Sequence, residues 1–218
     1  MAARIIYPLI IEWQNMTNFL NDYHIINNLP YGFDFYNQGL RQIRKHGKWF
    51  FENKEQRLAE LQNAYHAFCG KHLDYTPESL KGLGEFLMHA IDIEKFSSEG
   101  FEDKWDKYPQ EILDSDNMTS LRDVSLTVDA GIYWGEVMIR NHKNMAWKQN
   151  IETIKRDIYR GWMVITINPH IFAYNVNPIW ITSVVVQKIA DRTETSDSLY
   201  EVYNTYCKEL APEYMPDK

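Results

Sequence analysis

One mostly apolar stretch of the sequence carries ionisable residues close to a single line: Arg122, Asp129, Glu136 and Arg140. At 100° per residue they form a narrow polar strip between two apolar helix faces. An unpaired charge in a protein interior is costly, so carboxylates in such a strip must find partners, become neutral or face a cleft. A carboxylate that faces a cleft can act as a general acid or base. The strip is therefore the candidate site of this chain.

Two interpretations of the strip remain open. Glu136 and Arg140 stand four residues apart in the order that favours an ion pair within one helix, and a satisfied buried network would explain Asp129 as well. Alternatively, Asp129 and Glu136 face a cleft, with Trp134 or Trp147 near its rim as a stacking platform. We favour the network. Structural networks also perturb the pKa values of carboxylates, so a buried carboxylate does not by itself indicate an active site.

Other chemistry finds little support in the sequence. Glu85, His89 and Asp92 share a helix face at spacing typical of metal ligands, but no HExxH motif and no Cys/His pair completes a site. We expect no metal, no cofactor and no catalytic residue. Cys69 and Cys207 share no metal or redox spacing and are expected to be reduced thiols. The sequence also lacks a nucleophile elbow, a Walker loop and a glycine-rich dinucleotide turn.

The strip must be positioned by a helix over residues 121–140. Apolar residues line two opposite faces of this helix, so no side is both polar and wide enough to face solvent. We therefore expect the helix to run between two layers of the protein. Gly131 and Gly135, four residues apart, would let another backbone approach it closely.

The first seventy residues predict a helical layer. Apolar residues at helical spacing favour a helix within 8–29, and a second helix over 35–46 is expected to stop at Gly47. Asn53, with a glutamine three residues later, matches the capping box of a third helix that ends at Gly70.

The remainder of the chain predicts helices around a small sheet. Thr76 and Pro77 mark the start of a helix that runs to about Phe96, and Ser198 with Glu201 forms a capping box for the last helix. The other predicted elements are strands at 146–149, 161–168 and 171–176 and a helix over 179–189 that opens at Asn177-Pro178.

Together these elements predict an α+β fold that is mainly helical, with a small antiparallel sheet in the C-terminal half packed against the central buried helix. We expect an N-terminal helical layer over 1–70 and an α+β core over 71–210, joined in one continuous domain. The tail over 211–218 is expected to be disordered.

Residues 97–118 concentrate the negative charge of the chain. Seven carboxylates accompany two lysines in this segment, which leaves five net negative charges out of the total of −7. A charge run usually faces solvent, so a linker is the simpler interpretation. As the functional alternative, the segment is a contact surface for a basic partner, with Trp105 and Tyr108 as aromatic anchors.

Several short motifs follow one another in a familiar order: LDYTPESL at 73–80, GIYWGEV at 131–137, Trp147, Asn177-Pro178 and DSLY at 197–200. This order resembles a broad group of bacterial domains of unknown function, in which an ESL helix precedes a Gly-Glu helix and a Trp-bearing strand. The resemblance covers about 72–206. It implies an immunity or accessory role beside secreted toxins, because some members of such groups look like immunity proteins, and it brings no catalytic residues.

Composition narrows the classes of function. A net charge of −7 argues against nucleic acid or an anionic membrane as a partner, since both require a basic surface. The sequence shows neither a secretory signal nor a membrane span, so we expect a cytoplasmic protein. We predict a non-enzymatic protein-binding module, in particular an immunity-type inhibitor of a basic toxin. The alternatives are a small enzyme that uses Asp129 or Glu136 as general acid or base, and a structural subunit of a homo-oligomer.

Overall fold

The computed structural model of the 218-residue chain describes residues 18–30, 35, 37–91, 118–151, 159–166, 175–190, 193 and 195–210. A single-turn 3-10 helix at Asn18–Leu20 comes first. The elements that follow within these ranges are α1 (Leu40–Cys69), α2 (Ser79–Ala90), α3 (Met118–Asn141), β1 (Ala146–Gln149), β2 (Met163–Thr166), β3 (Asn175–Val176), α4 (Pro178–Ala190) and α5 (Ser198–Glu209). The predicted fold class is confirmed: the chain is mainly helical, with a small antiparallel sheet in its C-terminal half.

Helix α3 is the inner helix that the periodicity predicted. Every residue from Asp123 to Met138 is buried, and Val128 and Val137, on opposite faces, have no exposed surface. Helices α1, α2 and α4 pack against it, and the indole of Trp134 reaches the first turn of α5. An apolar helix of this length is stable only when both faces are covered in this way.

Two glycines of α3 allow α4 and β1 to come close. A Cβ at Gly131 would lie 2.7 Å from the Cα of Ile179 at the start of α4. A Cβ at Gly135 would overlap the ring of Trp147 and lie 3.2 Å from Pro178 Cγ. The predicted close approach of another backbone to α3 is therefore confirmed at Gly131.

Helix α1 is one continuous helix of 30 residues, so the predicted stop at Gly47 and the predicted cap at Asn53 are wrong. Gly47 is used for packing instead. A Cβ there would overlap the side-chain amide of Gln149, whose Nε2 donates to the carbonyl of Ile43 at 2.6 Å. The predicted end at Gly70 is confirmed, because Gly70 has a φ of 70°, in the left-handed region that favours glycine.

Residues 21–30, which we call the strap, are irregular where a helix was predicted. The N-terminal part of that predicted helix lies outside the described residues. After a local bond from the Tyr23 N–H to the Leu20 carbonyl, the strap bonds other elements: the Ile26 N–H donates to Ser125 Oγ at 2.8 Å, and Trp49 Nε1 donates to Asn28 Oδ1 at 2.8 Å. Because these partners belong to α3 and α1, tertiary contacts replace the local bonds of a helix.

Helix α2 ends at Ala90, earlier than the predicted Phe96, because Ile91 adopts an extended conformation with ψ of 133°. It begins at Ser79 with Glu78 as its N-cap, so the predicted cap at Thr76 is wrong, although Thr76 Oγ1 accepts the Ser79 N–H at 3.3 Å in the turn before the helix. Residues 92–117 lie outside the described part of the chain, and with them most of the acidic segment.

The sheet has the order β1-β2-β3, with both pairs antiparallel. Ala146 pairs with Thr166, and Ile165 pairs with Val176. The predicted strand at 146–149 is confirmed, β2 begins at Met163 rather than at the predicted residue 161, and β3 covers the described end of the strand predicted at 171–176. The predicted helix after Asn177 is confirmed as α4.

Helix α5 begins as predicted, but the predicted capping box is wrong. Ser198 Oγ bonds the backbone of Thr195, and the Glu201 N–H donates to the carbonyl of Asp197. The tail over 211–218 lies outside the described residues. None of the helices in the described ranges is long and apolar enough to cross a bilayer.

Candidate functional site

The polar strip of α3 faces α1, and each of its two carboxylates meets a cation of that helix. Asp129 contacts Arg57, and Glu136 contacts Lys54. The later of the two carboxylates along α3 pairs with the earlier of the two cations along α1, so the two helices run antiparallel here. The strip is therefore a seam between two helices.

Asp129 forms a buried bidentate ion pair with Arg57. Its Oδ1 accepts from Nε at 2.8 Å and its Oδ2 from Nη2 at 2.6 Å. The hydroxyl of Tyr23, in the strap, also donates to Oδ2. The guanidinium further donates from Nη1 to the carbonyl of His24 at 2.7 Å. One ion pair thus joins α1, α3 and the strap.

Burial decides the protonation behaviour of this pair. Loss of hydration raises the pKa of Asp129 to about 6, although the charge of Arg57 and the hydrogen bonds from Arg57 and Tyr23 oppose the shift. Burial by itself lowers the pKa of Arg57, but the facing carboxylate outweighs it and raises that pKa above its ordinary value. At neutral pH both groups are therefore ionised.

Glu136 is held by three donors of the chain. Its Oε1 accepts from Lys54 Nζ at 2.6 Å and from Trp147 Nε1 at 3.0 Å, and its Oε2 accepts from Arg140 Nε at 3.4 Å. Burial raises the pKa of Glu136, but these donors outweigh it and hold the pKa below its ordinary value. The predicted pair with Arg140 is confirmed, and the favoured interpretation of a structural network describes both carboxylates.

The predicted aromatic residues do not line a cleft together. Trp134 has no exposed surface: its indole donates to the carbonyl of Leu199 at 3.1 Å and packs edge-on against Tyr203. Trp147 is partly buried, with its ring against Phe50. Trp134 is therefore a core residue rather than the rim of a cleft, because the face of α3 that carries it is covered by α5. Trp105 and Tyr108 lie outside the described residues.

A polar groove of about 290 Å³ opens between the strap and α1. Residues 24–28 of the strap form one wall, and one face of α1 forms the other with Asn53, Gln56, Arg57 and Glu60. Neither carboxylate of the strip lines the groove. Arg57, which does line it, is already neutralised by its buried partner on α3.

Glu60 is the one carboxylate among the residues that line the groove, and its side chain is only 14% exposed. His24 is its partner: Nδ1 lies 3.1 Å from Oε1, and the backbone N–H donates to Oε2 at 3.3 Å. Histidine is charged only when it is protonated. Because Arg57 and Asp129 cancel, the groove keeps one net negative charge when His24 is neutral.

Sequence reasoning missed this groove, although part of its signal is present. Asn53, Gln56, Arg57 and Glu60 are spaced at i, i+3, i+4 and i+7, which places four polar residues on one face of α1. Interpreting Asn53 as a helix cap hid this pattern. The opposite wall had no signal, because an irregular strap has no periodicity to detect.

The described residues contain no group of three His, Cys, Asp or Glu side chains that could hold a metal ion. Glu85 and His89 are described, but Asp92, the third residue of the predicted spacing, lies outside the described ranges.

Comparison with known proteins found no relative: no family model, no curated protein and no solved structure matches the chain.

Proposed function

We propose that the chain is a non-enzymatic protein-binding module for a basic partner, with an immunity-type inhibitor of a basic toxin as the leading case. The observation that carries this proposal is the internal pairing of Asp129 and Glu136. Both carboxylates are buried, and donors of the chain itself occupy their oxygens. A general acid or base must exchange a proton with a substrate, so it needs an open face. Fully paired carboxylates favour a structural role for the strip and thus weaken the case for an enzyme.

Charge and exposed apolar side chains support a protein partner. The chain carries a formal charge of −7, and the groove adds a local negative site. Phe51 and Trp180 are 54% and 46% exposed, and aromatic side chains of this kind anchor many protein interfaces. A basic protein complements this surface better than an acidic one.

The proposed mechanism has two steps. The acidic segment over 97–118 first attracts the partner over a distance, which raises the association rate. Trp105 and Tyr108 then anchor the complex through apolar contact, which lowers the dissociation rate. The two steps predict separate kinetic effects for charge and for aromatic substitutions.

The test begins with the purified chain immobilised and exposed to an extract of its source cell at low and at moderate salt. We expect a protein of high isoelectric point, retained better at low salt. Recovery of no basic protein at either salt would contradict the proposal. Recovery of the chain alone, with an oligomer seen by light scattering, would favour a homo-oligomer instead.

The identified partner then allows a kinetic test. Replacing the seven carboxylates of 97–118 with amides should slow association by about tenfold and leave dissociation nearly unchanged. Trp105→Ala should mainly speed dissociation. As a control, Glu52→Gln changes an exposed carboxylate of α1 and should leave both rates close to wild type. Equal rates for the wild type and the neutralised segment would contradict the mechanism.

A further inference from the structure

We propose that the groove between the strap and α1 is a receptor for one lysine-type ammonium group of the partner, held by Glu60 and the amide oxygens around it. This inference rests on the proposed function and names the group that the module recognises. It depends on the charge, the size and the free polar atoms of the groove.

The charges of the groove favour a cation. Glu60 is the lining carboxylate, and the one lining residue with a permanent positive charge, Arg57, is paired with Asp129. Arg57 also spends its donors inside the protein, on Asp129, on the Tyr23 hydroxyl and on the His24 carbonyl. It is therefore a poor receptor for an anion, and the charge that remains in the groove when His24 is neutral is the negative charge of Glu60.

The polar walls suit an ammonium group. The amides of Asn27 and Gln56 have no hydrogen-bond partner within the described part of the chain, and both residues are exposed. Asn53 donates from Nδ2 to the Trp49 carbonyl at 2.7 Å, which leaves its own oxygen available. An ammonium has three donors that rotate on a flexible stem, so it can reach a carboxylate and separate amide oxygens at once.

The size of the groove limits what can enter. Its volume of about 290 Å³ lies just below the range of about 300–1,000 Å³ for small-molecule sites. A single side chain fits this volume, whereas a helix or a strand of the partner does not.

His24 is the hydrogen-bond partner of Glu60 in the groove. Its side chain is 78% exposed, so the ring can turn into solvent at little cost and give its place to an ammonium. The backbone N–H of His24 continues to orient the carboxylate through Oε2. The groove is therefore preorganised around Glu60, and an ammonium can displace the His24 ring from this carboxylate.

The test is an NMR titration of the full chain with Nα-acetyl-lysine methylamide. We expect saturable shifts of the His24 backbone amide and of the Gln56 side-chain amide, and no shifts with the norleucine analogue, which keeps the four-carbon stem but lacks the ammonium group. Glu60→Gln should weaken binding about tenfold or more, because a charge-assisted bond is replaced by a neutral one. Glu52→Gln, on the same helix but outside the groove, should bind as the wild type does.

Two variants at Gln56 keep the proposal testable if Glu60→Gln fails to fold. Gln56 is exposed, so its substitution should leave the fold intact. Gln56→Glu should tighten binding of the lysine probe, and Gln56→Lys should abolish it by placing a cation at the groove. Binding of the norleucine analogue, or equal binding of the lysine probe by both Gln56 variants, would overturn the proposal.

The failure of this inference can be told from failure of the proposed function. Equal binding of a basic partner by the wild type, Glu60→Gln and Gln56→Lys would overturn the proposed role of the groove, while the proposed protein-binding function would remain supported. A groove that binds the lysine probe as expected, in a chain that captures no basic protein, would overturn the proposed function instead.

Discussion

Replacing Arg57 with methionine should show what the buried ion pair contributes to stability. The Arg57 side chain is 6% exposed and Asp129 has no exposed surface, so Arg57→Met leaves a carboxylate inside the protein without its cation. Removal of one partner of a buried pair costs about 3–5 kcal/mol. Methionine keeps much of the apolar packing of the arginine stem, so most of this loss reports charge and hydrogen bonding.

The stability difference should also depend on pH. The pKa of Asp129 is about 6 in the folded chain against 3.8 for a free carboxyl, so the folded state binds the extra proton in this window. In the wild type, the contribution of Asp129 to the free energy of unfolding therefore falls as pH rises from 3.8 to about 6. Without Arg57 the pKa of Asp129 rises further, and the fall continues above pH 6. The gap between wild type and variant should widen there by about 1.4 kcal/mol per pH unit.

The measurement is urea unfolding, followed by tryptophan fluorescence, at a series of pH values on both sides of the Asp129 pKa. Arg44→Met, at an exposed arginine of α1, is the matched control and should stay within about 0.5 kcal/mol of wild type. The double variant Arg57→Met with Asp129→Asn has no carboxyl at this position. The gap in the free energy of unfolding between wild type and this variant should therefore not widen above pH 6.

Two results would refute this reasoning. One is an Arg57→Met free energy of unfolding within about 1 kcal/mol of wild type at neutral pH. The other is a gap that stays constant above pH 6, since that would mean that Asp129 does not bind a proton when its cation is removed.

Two further changes test the core around the seam. Burial lowers the pKa of His46 from 6.5 to about 3. The unfolded chain therefore binds a proton that the folded chain does not, and the contribution of His46 to the free energy of unfolding falls by about 1.4 kcal/mol per pH unit as pH drops below 6.5. His46→Leu should remove that slope from the urea series, and an unchanged slope would contradict the assignment. Gly135→Ala should cost about 1–3 kcal/mol, because its Cβ would overlap the Trp147 ring. The double variant Gly135→Ala with Trp147→Leu should lose less stability than the sum of the two single variants. Additive losses would contradict the expected clash between the new Cβ and the Trp147 ring.

The strip shows how far periodicity leads. Asp129 and Glu136 could be placed on a buried line because residues seven apart repeat around a helix. Their cations could not be named, since Arg57 and Lys54 lie 72 and 82 positions away. Trp134 was misplaced for the same reason. The sequence sets the face of α3 on which Trp134 lies, but it does not say that α5 packs against that face.

The glycines show a different limit. Gly47 and Gly70 were both predicted as helix ends, and only Gly70 is one. Lack of a Cβ permits a left-handed backbone and also permits close packing, so residue type alone does not tell the two uses apart. The Gln149 side chain against Gly47, brought there by the pairing of β1 with β2, decides the matter.

The sequence by itself determined the inner helix, the antiparallel strands and the helix after Asn177, because apolar repeats, β-branched runs and proline positions are local properties of the chain. Only the tertiary structure decided that the strap is irregular, that Arg57 and Lys54 neutralise the strip, and that Glu60 lies in a groove. Each of these depends on polar groups that satisfy one another across long separations in sequence. Burial makes such partners obligatory, but the packing of the helices selects which residues they are.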